Sequence, residues 1–215
     1  SYWGQQRFST WLRRSAVQEK LQAILEEDLG DEGFHNIRSR LVTSIKKTEL
    51  EQVLELLGRN IQHPVEAYIA GSVPTLVAGL TFRPTDGIDF VDEVPAEIRE
   101  QRETLGRVEV RYGLTVGHVQ SHYLPANWRN RVQYLGEFGK LRVYLVDPYD
   151  IFLSKLSSQL EKHLDDLRVL AQKLDKERAR HLLLTDGKAF LNSEIERRTI
   201  EQNWKFIFRE PLLPG

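Results

Sequence analysis

The segment from Tyr68 to Val91 combines residue types that can bind phosphates and a metal ion. Gly71 and Ser72 form a turn between a predicted strand and a predicted short helix, and the backbone N–H groups of such a turn can bind phosphate oxygens. Asp86 and Asp89 follow at the start of the next predicted strand, where carboxylates can bind the divalent cation that phosphates need. The segment therefore predicts chemistry on a phosphate-bearing ligand.

The spacing of the two aspartates does not place them on one face of a regular strand. Side chains alternate along a strand with period two, so carboxylates two residues apart share a face. Asp86 and Asp89 are three residues apart, and Gly87, which is two residues before Asp89, has no side chain. Only a β-bulge at Gly87 brings Asp86 and Asp89 together.

Composition excludes several other kinds of site. The chain has no cysteine, so disulfides, thiolate metal ligands and cysteine nucleophiles are excluded. Its six histidines are scattered along the chain, which argues against a zinc site. The formal net charge of −1 gives no global positive field, so a site for a polyanion has to be a local cluster.

The proportions of hydrophobic and charged residues are typical of a soluble globular protein. The 215 residues are 40% hydrophobic and 28% charged, which suffices for one substantial core. No apolar run approaches the roughly 20 residues of a membrane span, and the arginine-containing start is unlike a signal peptide. We expect a cytoplasmic protein with no membrane contact.

Periodicity predicts helices first, a sheet in the middle and helices last. The predicted strands are short apolar runs broken by Gly and Pro, with a hairpin turn at Gly136 to Lys140; they are Ala67 to Ala70, Ile88 to Val91, Leu114 to Val119, Val132 to Leu135 and Leu141 to Val146. The predicted helices follow three-to-four spacing of apolar residues; they are Phe8 to Leu29, Asn36 to Ile45, one from Thr48 with a capping box to Glu51, Pro95 to Leu105, one from Asp147-Pro148, Leu164 to Leu174, Lys176 to Leu184 and Asn192 to Trp204.

This order predicts an α/β protein with a small mixed sheet and N-terminal and C-terminal flanking helices. We divide it into an N-terminal helical segment (1–62), an α/β core (63–150) and a C-terminal helical segment (151–215), packed as one compact unit. The oligomeric state stays open.

Two separated blocks resemble the nucleotidyltransferase superfamily. The first is Gly71-Ser72 followed by Arg83-Pro84-Thr85-Asp86-Gly87-Ile88-Asp89, which is similar to a Gly-Ser turn and an Arg-x-Thr-x-Asp-hydrophobic-Asp strand. The second combines the Asp147-Pro148 turn, Ser154-Lys155-Leu156 and Lys162-His163-Leu164-Asp165-Asp166-Leu167. The resemblance covers about Val65 to Leu174 and is closest to the minimal bacterial branch that includes the AbiEii-type toxins of toxin–antitoxin systems.

The resemblance implies transfer of a nucleoside monophosphate from an NTP to an RNA or protein acceptor, with Mg²⁺ or Mn²⁺. It implies an antitoxin as a partner. It assigns phosphate and nucleotide binding to Gly71, Ser72, Arg83 and Thr85, and catalysis to Asp89, Lys155 and Asp166. It also makes Asp89 a metal ligand, and Asp86 is the residue of this chain that would join Asp89 on the metal if the backbone permits.

The chain departs from the family pattern at two positions. Gly87 stands where the first strand carboxylate is expected, and His163 occupies the first acidic position of the helical block. A third acid could come from Glu109, Asp147 or Asp150, and the sequence leaves these alternatives open. A catalytically degenerate module that binds a nucleotide or a partner is the competing hypothesis, and a helical interaction protein is a third.

Simpler interpretations exist for several candidates. Ser72 is a favoured helix N-cap, as are Asp147 and Asp150, while Lys155, Asp165 and Asp166 are typical charges of a solvated helix face. An aromatic and cationic surface for an RNA end or a nucleobase, made of Trp128, Arg129, Arg131 and Arg142, competes with a core tryptophan flanked by exposed arginines.

Overall fold

The computed structural model describes residues 47–81 and 85–213. Within them the chain forms eight α-helices and one five-stranded mixed sheet, which confirms the predicted α/β class. The predicted helices Phe8 to Leu29 and Asn36 to Ile45 lie outside the described residues, as does Arg83.

The elements follow one another in the predicted order. The strands are β1 Val65–Ala70, β2 Gly87–Val91, β3 Thr115–Val119, β4 Gln133–Phe138 and β5 Leu141–Leu145. The helices are α1 Lys47–Gly58, α2 Val73–Val77, α3 Ala96–Arg99, α4 Arg102–Tyr112, α5 Pro148–Leu156, α6 Glu161–Ala171, α7 Lys176–Leu184 and α8 Glu194–Phe208. Short 3₁₀ turns cover Ser121–Tyr123, Trp128–Arg131 and Lys188–Leu191.

The sheet has the strand order β3-β2-β1-β5-β4. β1 runs antiparallel to β2 and parallel to β5, while β2 pairs with β3 in parallel and β4 with β5 antiparallel. The carboxyl end of β1 therefore meets the start of β2 at one edge of the sheet, where the sequence places the Gly71 turn and the acidic residues.

One face of the sheet is covered by α1 and α4. The four apolar residues predicted to share a face of α1 are fully buried against Ile69, Ile88 and Phe90; they are Leu50, Val53, Leu54 and Leu57. The helix begins at Lys47, so Thr48 lies in its first turn and not at the predicted N-cap position.

A second apolar cluster joins α5 to α8 around Trp204, which is fully buried. The last helix is longer than predicted and ends at Phe208. Phe208 packs on Trp204 with ring centroids 4.4 Å apart, whereas Phe206 is 38% exposed. Trp204 and Phe208 therefore anchor the last helix in this cluster.

The predicted helix Pro95 to Leu105 is instead two helices that meet at Gln101. The Gln101 side chain donates to the carbonyl oxygens of Leu57 (2.9 Å) and Glu97 (2.8 Å), so the break is held by a contact with α1. The predicted hairpin turn Gly136 to Lys140 is shorter, because β4 continues to Phe138 with a register irregularity near Gly136.

Arg131 connects the loop before β4 to the helical cluster. Its guanidinium donates to both carboxylate oxygens of the fully buried Asp150 (2.9 and 3.0 Å), to Asp186 and to the carbonyl oxygen of Ala126 (2.8 Å). Burial raises the pKa of Asp150 to about 6, although Arg131 opposes this shift. Asp150 is thus an internal ion-pair partner.

None of the described helices is long and apolar enough to cross a membrane. The division at residues 62 and 150 stays a prediction.

We predict that Arg131→Met lowers the free energy of unfolding by about 3–5 kcal/mol at pH 8, because it leaves the buried Asp150 charge without its partner. The double variant Arg131→Met/Asp150→Asn should be less destabilised.

Since the folded-state pKa of Asp150 lies above its unfolded value of about 3.9, the folded protein binds more protons in this range and gains stability as pH falls. Urea unfolding at pH 8 and pH 5 should therefore show partial rescue of Arg131→Met at pH 5, and a pH-independent deficit would contradict the assignment.

Candidate active site

The Gly71 turn and the Asp89 carboxylate lie against each other. Gly71 joins β1 to α2 with φ +68°, a left-handed conformation that favours glycine. A Cβ at this position would lie less than 3.0 Å from Oδ2 of Asp89, closer than Cβ atoms come to other atoms. Both the backbone conformation and the approach of the carboxylate therefore require glycine here.

Asp89 owes this position to strand pairing. It lies opposite Ala70 across the antiparallel β1–β2 ladder and opposite Gly117 across the β2–β3 ladder. A Cβ on Gly117 would lie 3.2 Å from Oδ1 of Asp89. The half-buried carboxylate thus lies between two residues that have no side chain, and both approach it closely.

Ser72 is the residue before α2, but its side chain does not cap that helix. Its hydroxyl donates to Oγ1 of Thr85 (2.7 Å), and the Thr85 hydroxyl donates to the carbonyl oxygen of Gly87 (2.8 Å). Thr85 is buried. These bonds tie the Gly71 turn to the start of β2, so the predicted capping role of Ser72 is wrong and its hydroxyl instead fixes the turn.

The structure does not bring Asp86 and Asp89 together. The β2–β3 register runs from Gly87 to Val91 without interruption, and the carbonyl oxygen of Asp86 accepts the Thr115 N–H at 2.9 Å, which continues the ladder. Without a bulge, alternation places the exposed Asp86 side chain on the opposite face from Asp89. The joint role of the two residues as metal ligands stays a prediction.

The three residues that could supply a third acid to the site lie on other elements or make other contacts. Glu109 is exposed on α4, which packs on the other face of the sheet, and Asp150 is committed to Arg131. Asp147 caps α5, as predicted, by accepting the Tyr149 N–H at 2.9 Å. Within residues 47–81 and 85–213, no three His, Asp or Glu side chains converge as a metal site.

Lys155 and Asp166, both assigned to catalysis by resemblance, form an ion pair with each other. The Lys155 ammonium lies 2.5 Å from Oδ2 of Asp166, and both side chains are largely buried, 11% and 14% exposed. Asp165, by contrast, pairs with Arg168 on the exposed helix face at 3.1 Å. The solvated-face interpretation therefore holds for Asp165, whereas Lys155 and Asp166 link α5 to α6.

The predicted surface around Trp128 is only partly present. Trp128 is buried, Arg131 is held by Asp150 and Asp186, and Arg142 pairs with Glu137 at 3.3 Å. Of the three arginines, Arg129 lies over an aromatic ring, with its guanidinium 4.6 Å from the Trp128 ring centroid. The core-tryptophan interpretation is correct for Trp128, whereas Arg131 is not one of the exposed arginines that it assumed.

Sequence reasoning missed a set of tyrosines on the face of the sheet that carries Asp89. Tyr68 on β1, Tyr144 on β5 and Tyr134 on β4 lie opposite one another in the strand register. Each of three predicted strands contains one tyrosine, and this is the sequence signal for the set. The alignment of the three tyrosines depends on the strand register.

We predict that Gly71→Ala destabilises the protein more than Gly79→Ala does. Gly79 has the same backbone conformation (φ +69°), yet a Cβ there would meet no atom within 4 Å. Alanine at position 79 therefore lowers the free energy of unfolding only by the cost of a left-handed backbone, about 1–2 kcal/mol. Urea unfolding of both variants isolates the additional cost of displacing Asp89. Equal losses of stability would contradict the close approach of Gly71 and Asp89.

Comparison with known families identifies the family of this chain. A family model described as a nucleotidyltransferase of unknown function (DUF6036) matches residues 47–210, which include the Gly71 turn, Asp89 and the Lys155–Asp166 pair. No curated protein and no solved structure matches the chain. Because the match covers well over half of the 215 residues, the chain belongs to this nucleotidyltransferase family.

Proposed function

We propose that the protein binds a nucleoside triphosphate at the Gly71 turn and transfers the nucleoside monophosphate to a hydroxyl of an RNA or protein acceptor, releasing pyrophosphate. The observation that carries this proposal is the contact between the Gly71 turn and the Asp89 carboxylate. Phosphoryl chemistry requires phosphate-binding backbone and a metal-binding carboxylate side by side, and a glycine turn in contact with an aspartate supports this assignment.

The residues present fit one Mg²⁺ or Mn²⁺ ion. Mg²⁺ is commonly held by one or two carboxylates, with waters and substrate phosphates completing its octahedron. Asp89 would be the protein ligand, and the glycines at positions 71 and 117 let the backbone come close to its two oxygens. When bound, the ion would offset phosphate charge. A second ion would need another strand carboxylate, which Gly87 does not supply.

The chain's own groups have separate tasks in this proposal. The left-handed Gly71 lets a phosphate approach the backbone, and the Ser72–Thr85 bond keeps the turn in place beside Asp89. Lys155 would offset the charge that develops on the leaving pyrophosphate, a role that the family resemblance gives it. Reaching the phosphates requires Lys155 to exchange its partner Asp166, so this ion pair would set part of the cost of nucleotide binding.

Binding of a nucleotide or a protein partner without transfer is a second candidate function. Gly87 favours it, because the unbroken register leaves Asp89 as the strand's one carboxylate on this face. Nucleotide binding would survive in such a protein, whereas the in-line positioning of the reacting atoms by the metal would be weak. The two functions differ in whether label from the α-phosphate appears on an acceptor.

The AbiEii-type branch and a cognate antitoxin stay proposals. They are supported by the two blocks quoted above, and by the family match only at the level of the superfamily.

We predict that Asp89→Asn abolishes transfer by the full chain. The assay incubates the protein with α-labelled NTPs, Mg²⁺ or Mn²⁺ and a total cell extract, then separates RNA from protein to identify the acceptor. Asp165→Asn is a matched control, because it removes a carboxylate from an exposed helix face. Transfer that survives Asp89→Asn would place the active site elsewhere, and nucleotide binding with no transfer in the parent would support the second candidate.

We predict that Gly87→Asp strengthens metal binding or transfer. A Cβ at Gly87 would contact only Thr115 atoms at 3.5 Å, an ordinary distance, so the side chain fits. It would lie on the same face as Asp89. Gly87→Asn tests size without charge, and Gly106→Asp adds the same charge in open space on α4. Unchanged Mn²⁺ affinity in a folded Gly87→Asp protein, measured by calorimetry, would contradict the idea that this position is a vacated ligand.

A further inference from the structure

Three tyrosines form a continuous aromatic array on the face of the sheet that carries Asp89. The rings of Tyr68 and Tyr144 are stacked, with centroids 5.3 Å apart and planes inclined by 21°. Tyr134 continues the array from β4, with its centroid 5.4 Å from that of Tyr144. We call Tyr68, Tyr144 and Tyr134 the tyrosine row.

The tyrosine row is closed at one end and open at the other. At β1, the Trp128 ring meets Tyr68 edge-on at 5.5 Å, and the Arg129 guanidinium lies 5.7 Å from the Tyr68 centroid. At β4, Tyr134 is 58% exposed on the edge strand of the sheet. The Tyr134 ring is tilted by 53° from that of Tyr144, so a planar group can stack on the exposed Tyr134 ring itself but not at the Trp128 end.

The tyrosine row is next to the candidate active site. Tyr68 precedes Ala70 by two residues on β1, and Ala70 lies opposite Asp89, so the row and the Asp89 carboxylate occupy adjacent levels of one face. Three strand spacings and one level separate Tyr134 from Asp89, a distance of about 16 Å. A short single strand bound at Tyr134 would pass over Trp128 and Arg129, which lie at the β1 end of the row, to reach Asp89.

The charges around the tyrosine row suit bases better than a phosphate backbone. Arg129 is the exposed cation over the closed end, while Arg142 on the neighbouring level is paired with Glu137, and Glu66 is exposed beside Tyr68. Stacking of bases on aromatic rings does not require a strongly positive groove. Paired bases do not present their faces, so this surface discriminates against a double helix.

We propose that the tyrosine row binds an unpaired nucleobase of a single-stranded nucleic acid by stacking on Tyr134, and so holds the acceptor strand whose end reaches Asp89. This inference rests on the proposed function for its role as an acceptor site. The binding itself is independent of transfer and of nucleotide, which allows the two to be tested separately.

The test measures fluorescence anisotropy of a labelled ten-nucleotide single-stranded RNA with the full chain, in the absence of NTP. Base stacking on an aromatic ring is strong enough that its loss lowers affinity by roughly tenfold or more. We expect Tyr134→Leu to weaken binding to this extent and Tyr134→Phe, which keeps the ring, to bind like the parent. Phe206→Leu is a control for an exposed aromatic on α8, outside the row.

Two further arms define the ligand. The same sequence as a duplex should bind much more weakly, and a DNA strand of this sequence identifies whether the source is RNA or DNA. Because few phosphates are contacted, affinity should fall by less than about tenfold between 50 and 200 mM salt, unlike the steep loss for proteins with many phosphate contacts.

Each contrary outcome has a distinct meaning. Unchanged RNA binding by Tyr134→Leu, equal binding of the duplex, or no binding by the parent overturns the tyrosine-row proposal. If Tyr134→Leu transfers label from NTP to RNA like the parent, or if label appears only on protein, the proposal fails while the transfer function stands. Loss of transfer in Asp89→Asn with intact RNA binding supports both.

Discussion

The antiparallel pairing of β1 with β2 is the constraint on which the site depends. It places the carboxyl end of one strand beside the start of the next, so the Gly71 turn and Asp89 meet although 18 positions separate them along the chain. The pairing tolerates this contact because Gly71 has a left-handed backbone and no Cβ. The Ser72–Thr85–Gly87 hydrogen bonds then keep the turn and the strand start in one arrangement.

The same sheet separates two kinds of surface. Ile88 and Phe90 point into the core under α1 and α4, and Asp89 between them points to the face that holds the tyrosine row. The strand thus presents one carboxylate on that face. It cannot supply the second carboxylate that the family pattern has, because Gly87 lies on the correct face without a side chain.

The cluster of helices α5 to α8 is joined to the sheet through the loop before β4. Arg131 ties the loop before β4 to α5 and to Asp186, and Trp204 fills the core that α5 shares with α8. Lys155 and Asp166 belong to this part, and their mutual ion pair makes the assignment of Lys155 to phosphate binding depend on a change of partner. The ion pair and the proposed catalytic role therefore compete for the same charges.

The order and type of most elements follow from local patterns. Apolar spacing along α1 identified its buried face, and Lys176 to Leu184 was predicted at its observed bounds, because helix periodicity and caps are local signals. The break at Gln101 was not predictable, since it depends on a hydrogen bond to Leu57 on another helix. The roles of Trp128 and Arg131 likewise depended on neighbours far away in the chain.

The sequence by itself determined that a glycine turn precedes an aspartate-bearing strand and that position 87 has no carboxylate, because side-chain chemistry is the same in any fold. Only the tertiary structure decided that Asp86 faces away from Asp89, that Asp150 pairs with Arg131, and that three tyrosines form one row. Each of these depends on strand register or on contacts between distant segments, which local sequence patterns do not encode.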